Sequence, residues 1–198
     1  MVRIDAIHGF AIAAWFLLFL MQSLLIGTRN RKLHFTLGWS SIAIGLTIFL
    51  TGSLVAIRSV QIAPPQFRFF GLEYNRFLLM MLVEIWAFTA FLTVGILQRR
   101  KPKIHRPAML LAGLALLSGA TARMAFLHPV FGEVGWVSLF GPVFCIGLAL
   151  LLVRALLTRS FDRPFAIGYA VMVVVFVGSA KLAMTDAWIT VAAALLKI

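Results

Sequence analysis

Residues 77–97 read FLLMMLVEIWAFTAFLTVGIL and run directly into Gln98-Arg99-Arg100-Lys101-Pro102-Lys103. A helix rising about 1.5 Å per residue needs roughly 20 mainly apolar residues to cross the hydrocarbon core of a bilayer. This segment has that length, carries one charged side chain, Glu84, and stops at a basic, proline-containing stretch. Its apolar residues are continuous, which excludes a barrel strand, because such strands alternate and are only about 9–11 residues long. Working outward from it, five further runs of the same kind bring the spans to six, near 8–27, 36–57, 77–97, 107–127, 136–157 and 165–184. Loop signals separate them: Gly27-Thr28-Arg29-Asn30, Pro64-Pro65, His128-Pro129 and the stretch from Thr158 to Pro164.

The composition of the whole chain leads to the same class. Of 198 residues, 62% are hydrophobic and 12% charged, where a soluble domain is about half apolar and a quarter charged. With a mean hydropathy of +1.02, one aqueous core has no room for this much apolar surface, and the surplus faces lipid. The fold expected is all-α: a polytopic bundle of six transmembrane helices forming one domain over 1–198, packed at glycine-rich faces. The first run is too long for a signal-peptide core and has neither a basic leader nor a small-residue cleavage pattern. The tail from Thr185 to Ile198 is too short to cross and reads as a short interfacial helix, with Thr185 as its N-cap and Trp188 as its anchor. Cys145 has no second cysteine to pair with and reads as a small packing residue.

The net charge of +12 does not point to nucleic acid, because the basic residues sort by loop and not into one patch. Arg29, Arg31 and Lys32 fall in the first loop. Arg99, Arg100, Lys101, Lys103 and Arg106 fall in the third, and Arg154, Arg159 and Arg163 around the fifth. Arg3, Arg58, Arg68 and Arg76, on the other face, are diluted by Asp5, Glu73 and Glu133. The positive-inside rule then puts the odd-numbered loops in the cytoplasm and both termini on the outer, periplasmic side, with Trp39, Trp136 and Trp188 at interface depth.

Ionisable side chains inside a bilayer are costly and are functional candidates by default. Glu84, Arg123 and Lys181 all fall in the outer half of their spans. The third and fourth helices are consecutive and antiparallel, so Glu84 and Arg123 can meet. One reading is a structural ion pair with Lys181 snorkelling outward. The other is a polar pocket lined by Glu84, Arg123, Lys181, Trp86 and Arg58, which binds an anionic or quinone-like ligand or relays protons.

The histidines divide two and two. His34 in Lys32-Leu33-His34 and His105 in Lys103-Ile104-His105 open the second and fourth spans at the same end of the bundle. Two imidazoles at equal depth are what a six-coordinate haem b requires, and flanking Arg or Lys can neutralise its propionates. Gly38, Gly45, Gly113 and Gly119 offer room for a porphyrin, although glycine also serves close helix packing. The bland alternative is a pair of interfacial histidines. A metal site of His34, His105 and Met109 lacks a completing carboxylate or thiolate. His8 and His128 form no second haem pair, because the rise from His105 to His128 along one helix is about 35 Å. Motifs for covalent haem, dinucleotides, nucleotide phosphates, zinc peptidases and serine hydrolases are absent from the sequence.

The segments Arg31 to Trp39 (RKLHFTLGW) and His105 to Gly113 (HRPAMLLAG) resemble those of a group of small bacterial six-helix inner-membrane proteins, which pair a K-L-H-x-x-L-G-W motif with a later H-x-x-x-M-L-L-A one. The likeness covers the second to fourth helices. More distantly, the same segments are similar to the transmembrane cytochrome b family of ascorbate-dependent ferric reductases. That resemblance implies His34 and His105 as axial ligands of haem iron and assigns nothing to His8 or His128. The deeper, doubled histidine pairs of that family have no counterpart here.

Three functions follow as expectations. The first is an inner-membrane redox protein with one haem b between His34 and His105, exchanging electrons with a quinone. The second is a cofactor-free binding, transport or sensor protein built on Glu84, Arg123 and Lys181. The third is an accessory subunit of a larger membrane complex, contacted through Phe67, Phe69 and Phe70.

Overall fold

The computed structural model describes residues 2–64 and 66–196. Pro65, expected in the loop after the second span, lies outside the described residues. Among the described residues, five helices are long and apolar enough to cross a membrane: Arg3–Gly27, Arg31–Ile62, Tyr74–Leu97, Gly135–Thr158 and Arg163–Ala183. They fit an integral membrane protein in contact with lipid. A sixth crossing is reached only by counting a bent pair, Pro102–Thr121 and Ala125–Phe131, whose axes differ by 92°. The contacts divide the chain into two compact units, Met1–Arg58 and Ser59–Ile198.

The first unit holds α1 (Val2–Gly27), α2 (Arg31–Gly38) and α3 (Ser40–Ile62) as far as Arg58. α1 ends where Arg29 turns left-handed at φ 61°, and the Asn30 side chain caps α2 by accepting from Leu33 N–H at 3.2 Å. Trp39 keeps helical angles between α2 and α3, so the two continue as one span. Two polar contacts tie these helices. Thr51 donates its hydroxyl proton to Thr47 O at 2.6 Å, so it accepts from His8 Nδ1 at 3.1 Å. The Gln22 amide, oriented so that donors meet acceptors, donates to His34 Nδ1 and to the His34 carbonyl (3.1 Å) and accepts from Gly38 N–H at 3.1 Å.

The second unit opens with a hairpin of β1 (Arg68–Phe69) and β2 (Leu72–Glu73), antiparallel with Arg68 opposite Glu73. Its two turn residues are both left-handed, Phe70 at φ 48° and Gly71 at φ 72°, as the tightest hairpin turns require. A phenylalanine is strained there. The turn is held by Gly135 N–H, which donates to Phe70 O at 2.7 Å, and by the rings of Phe69 and Phe77 around Phe70.

The remaining elements are α4 (Tyr74–Leu97), α5 (Pro102–Ala115), α6 (Ser118–Thr121), a 3-10 turn (Ala125–Leu127), α7 (His128–Phe131), α8 (Gly135–Thr158), α9 (Arg163–Ala183) and α10 (Asp186–Leu196). Helices α4, α5 and α9 surround a core of Leu78, Phe88, Leu111, Met172 and Phe176. Close approach occurs where glycine permits it. A side chain at Gly147 would collide with the Tyr169 ring, and one at Gly168 with Leu111, so glycine here serves helix packing.

Three expectations change. The fourth span is not one helix over 107–127: it starts at Pro102, changes its hydrogen-bond register after Ala115 and turns at Ala122–Met124. Trp188 is buried, only 6% exposed, and does not present its indole as a surface anchor, although Thr185 does cap α10 by accepting from Trp188 N–H at 3.3 Å. Cys145 is exposed on α8 and fills no core position, because the buried residues of that helix are Ser138, Leu139, Phe140, Pro142, Val143 and Gly147.

Candidate functional site

The site begins with a break in a helix. In α5 the backbone bonds are of the i to i−4 kind, but Leu116 N–H donates to Gly113 O (3.2 Å) and Leu117 N–H to Leu114 O (3.1 Å). Ala120 N–H reaches Leu117 O at 3.0 Å, and one helical turn, α6, follows before the chain leaves the axis at Ala122–Met124. A Ser-Gly pair, Ser118-Gly119, sits at this tightening, a common sequence cause of kinks. At membrane depth irregular backbone is tolerated only where protein covers it or a polar cavity meets it.

Glu84 of α4 faces this break. Its carboxyl group is met by the Ser118 hydroxyl and lies within the electrostatic reach of Arg123. Neither Glu84 Oε1 nor Ser118 Oγ, both buried, has a hydrogen-bond partner at bonding geometry. Thr121, one turn on, is also buried but directs its hydroxyl to Ser118 O and Leu117 O, both at 3.1 Å. Arg123 sits at the corner, donating to Gly119 O and lying 5.9 Å from the centre of the Phe69 ring. The hairpin therefore stands beside the corner, with Phe67, Phe69, Phe70, Tyr74 and Phe77 packed ring against ring. His128 crosses the same corner, donating from Nε2 to Ala122 O at 3.3 Å.

Glu84 thus lies within the electrostatic reach of Arg123, but no ion pair or hydrogen bond joins the two among the described residues. Lys181 is exposed in the last turn of α9, a favourable place for a cation near the negative end of a helix. No ion pair or hydrogen bond joins it to Glu84 among the described residues. Trp86 points outward, 61% exposed, and Arg58 is an exposed residue of the first unit. Ser118 and Thr121 escaped the sequence reading. The Ser-Gly pair inside an apolar run was the signal that could have marked them.

The two candidate haem ligands lie in different units and have opposite ring roles. His105 Nδ1 is 2.8 Å from Gly95 O. A carbonyl only accepts, so Nδ1 carries the proton and Nε2 is the nitrogen with the lone pair, the arrangement that a carbonyl hydrogen-bonded to the far ring nitrogen gives a metal-ligating histidine. His34 Nδ1 accepts from Gln22, which puts the proton of the neutral ring on Nε2. Among the described residues no group of three or more His, Cys, Asp or Glu side chains is placed to hold a metal ion.

At the far end of α8, Arg154 pairs with Asp162 at 2.8 Å. Asp162 also caps α9 by accepting from Phe165 N–H at 3.2 Å. This pair was likewise not foreseen. Comparison of the chain with protein-family models, with curated proteins and with solved structures finds no match.

Proposed function

We propose that the chain is a multi-pass protein of a bacterial inner membrane, with both termini on the outer side, whose functional group is the Glu84 carboxyl. In this reading Glu84 takes up and releases a proton in exchange with the outer face, and the protein acts as a cofactor-free proton-responsive binding or relay protein. One observation carries it: a buried carboxyl oxygen without a partner faces a buried hydroxyl without a partner, beside a helix break. A bare carboxylate in such a place costs several kcal/mol. A proton bound at Oε1 removes that cost, and the Ser118 hydroxyl, which can accept from the acid or donate to the carboxylate, can serve either state. Arg123, near enough to favour the charged state, supports the opposite half of the cycle.

A hydrophobic carbodiimide, which reacts with protonated carboxyl groups in apolar surroundings, tests this in bilayer-embedded protein. Peptide mass spectrometry is expected to find the label on Glu84, increasing as pH falls. A Glu84 that stays unlabelled at every pH where the fold is intact overturns the reading.

A second reading keeps one haem b between His34 and His105, exchanging electrons with a quinone. It is supported by the His105 Nδ1 contact with Gly95 O, and it requires His34 to exchange its proton from Nε2 to Nδ1 and release Gln22. Oxidised and reduced absorption spectra of protein expressed with ample haem decide it. A Soret band that His105→Ala abolishes supports this reading, and a featureless spectrum removes it.

A further inference from the structure

A groove of 220 Å³ lies where α5, α8 and α9 meet, at the end of the bundle that carries the α8–α9 loop. Leu110, Leu150, Val153, Leu157 and Phe165 make its wall. Most of that wall belongs to the outer surface of the bundle: Leu157 is 80% exposed and Val153 and Leu150 are exposed beside it. Its polar rim is Arg154 with Thr158. The groove is therefore apolar along its length and cationic at one end.

That cation is held in place. Arg154 Nη1 contacts Asp162 Oδ2 at 2.8 Å, and the Asp162 side chain is only 6% exposed while that of Arg154 is 40% exposed. Because Asp162 is also the α9 cap, the guanidinium is paired with a carboxylate fixed at the helix terminus while its own side chain stays partly exposed. Arg159, left-handed at the end of α8, and Arg163, at the first turn of α9, are exposed on the same loop. The loop beside the groove thus carries three arginines and one carboxylate, a net positive charge.

We propose that this groove is a binding site for an anionic glycerophospholipid, with one acyl chain along the Leu110, Leu150, Val153, Leu157 and Phe165 wall and the phosphate at Arg154. The charge at the rim selects the headgroup, since each basic residue near an anionic lipid surface adds to attraction. The wall selects the chain, since covering it removes apolar surface from contact with the mobile bilayer and fills the space between three helices. Thr158 is less available, because its hydroxyl already donates to Arg154 O at 2.8 Å.

Native mass spectrometry of the full chain, released from vesicles holding equal phosphatidylglycerol and phosphatidylcholine, tests the assignment. Phosphatidylglycerol is expected to be retained in preference, and glycerol phosphate, which has the headgroup chemistry without the chain, is expected not to displace it. Loss of one basic contact corresponds to about a fivefold drop in that preference. Since Arg154→Gln alone strands Asp162, the double variant Arg154→Gln/Asp162→Asn is compared with it, and both are expected to show the drop. Val153→Trp, which fills the groove and leaves the rim charge unchanged, is expected to lower retention as well. Equal retention of the two lipids overturns the site. So does a preference that survives both the double variant and Val153→Trp, which would mark a diffuse basic surface, and so does displacement by glycerol phosphate.

Discussion

The indole N–H of Trp188 donates to the main-chain carbonyl of Asn75 across 2.9 Å, joining the first turn of α10 to the first turn of α4. Asn75 O is in a helix, yet it also receives a side-chain donor from a residue 113 positions later. The C-terminal helix is thus a packed element of the second unit, with Ala192 fully buried behind Trp188. Trp188→Phe keeps an aromatic ring but removes the donor and part of the buried indole, and it is expected to lower stability by at least about 1 kcal/mol. Thermal unfolding in detergent, against wild type, checks this. A Trp188→Phe protein as stable as wild type would mean that neither the hydrogen bond nor the indole packing holds α10 to α4.

Arg76 holds the same corner from another direction. Its Nε donates to Glu73 Oε2 at 3.1 Å and its Nη1 to Ala183 O, the last residue of α9, at 3.2 Å. The guanidinium thus places positive charge at a helix C-terminus, where unpaired carbonyls gather. Arg76→Ala is expected to cost about 1–3 kcal/mol, at the lower end because Glu73 is partly exposed. The same unfolding assay reads it, and combining Arg76→Ala with Trp188→Phe is expected to give a non-additive loss, since both act where α4, α9 and α10 meet.

The run from Phe77 to Leu97 was legible as a helix because twenty-odd apolar residues have one economical solution in lipid, and Tyr74–Leu97 is a helix. Glu84 and Arg123 stood out because a bilayer penalises charge wherever it occurs. The 107–127 span misled for the same reason. Hydropathy records that Leu116, Leu117 and Ala122 are apolar, but not that the backbone tightens beside Ser118-Gly119 and then turns. Trp188 misled because a tryptophan near a span end is equally suited to a lipid interface and to a buried hydrogen bond, and only a carbonyl supplied by distant Asn75 decides between them. Gln22, and the pairing of Asp162 with Arg154, gave no sequence signal, since each rests on a partner on another element.

Glycine packing gives a contrast between sites. Gly147 approaches the Tyr169 ring and Leu114, whereas nothing lies within 4 Å of the space a side chain would take at Gly9. Gly147→Leu is expected to destabilise by about 1–3 kcal/mol through overpacking. Gly9→Ala is expected to be neutral or to stabilise by up to about 1 kcal/mol, because it removes glycine from a helix interior. Equal effects at the two positions would contradict the packing described for α8 and α9.

The charge distribution predicts topology independently of the site. A reporter enzyme active only outside the cytoplasm, fused after Gly132, is expected to be active, and fused after Arg100 inactive. The reverse pattern would invert the bundle and place Glu84 and Arg123 toward the cytoplasm, so that proton exchange would be with that side.

Proton exchange at Glu84 is read out by pH-difference infrared spectroscopy of the protein in bilayers. A carboxyl C=O band is expected that grows as outer pH falls, shifts on deuteration, moves in Ser118→Ala and is missing from Glu84→Gln. A wild-type difference spectrum that Glu84→Gln reproduces in full would contradict it.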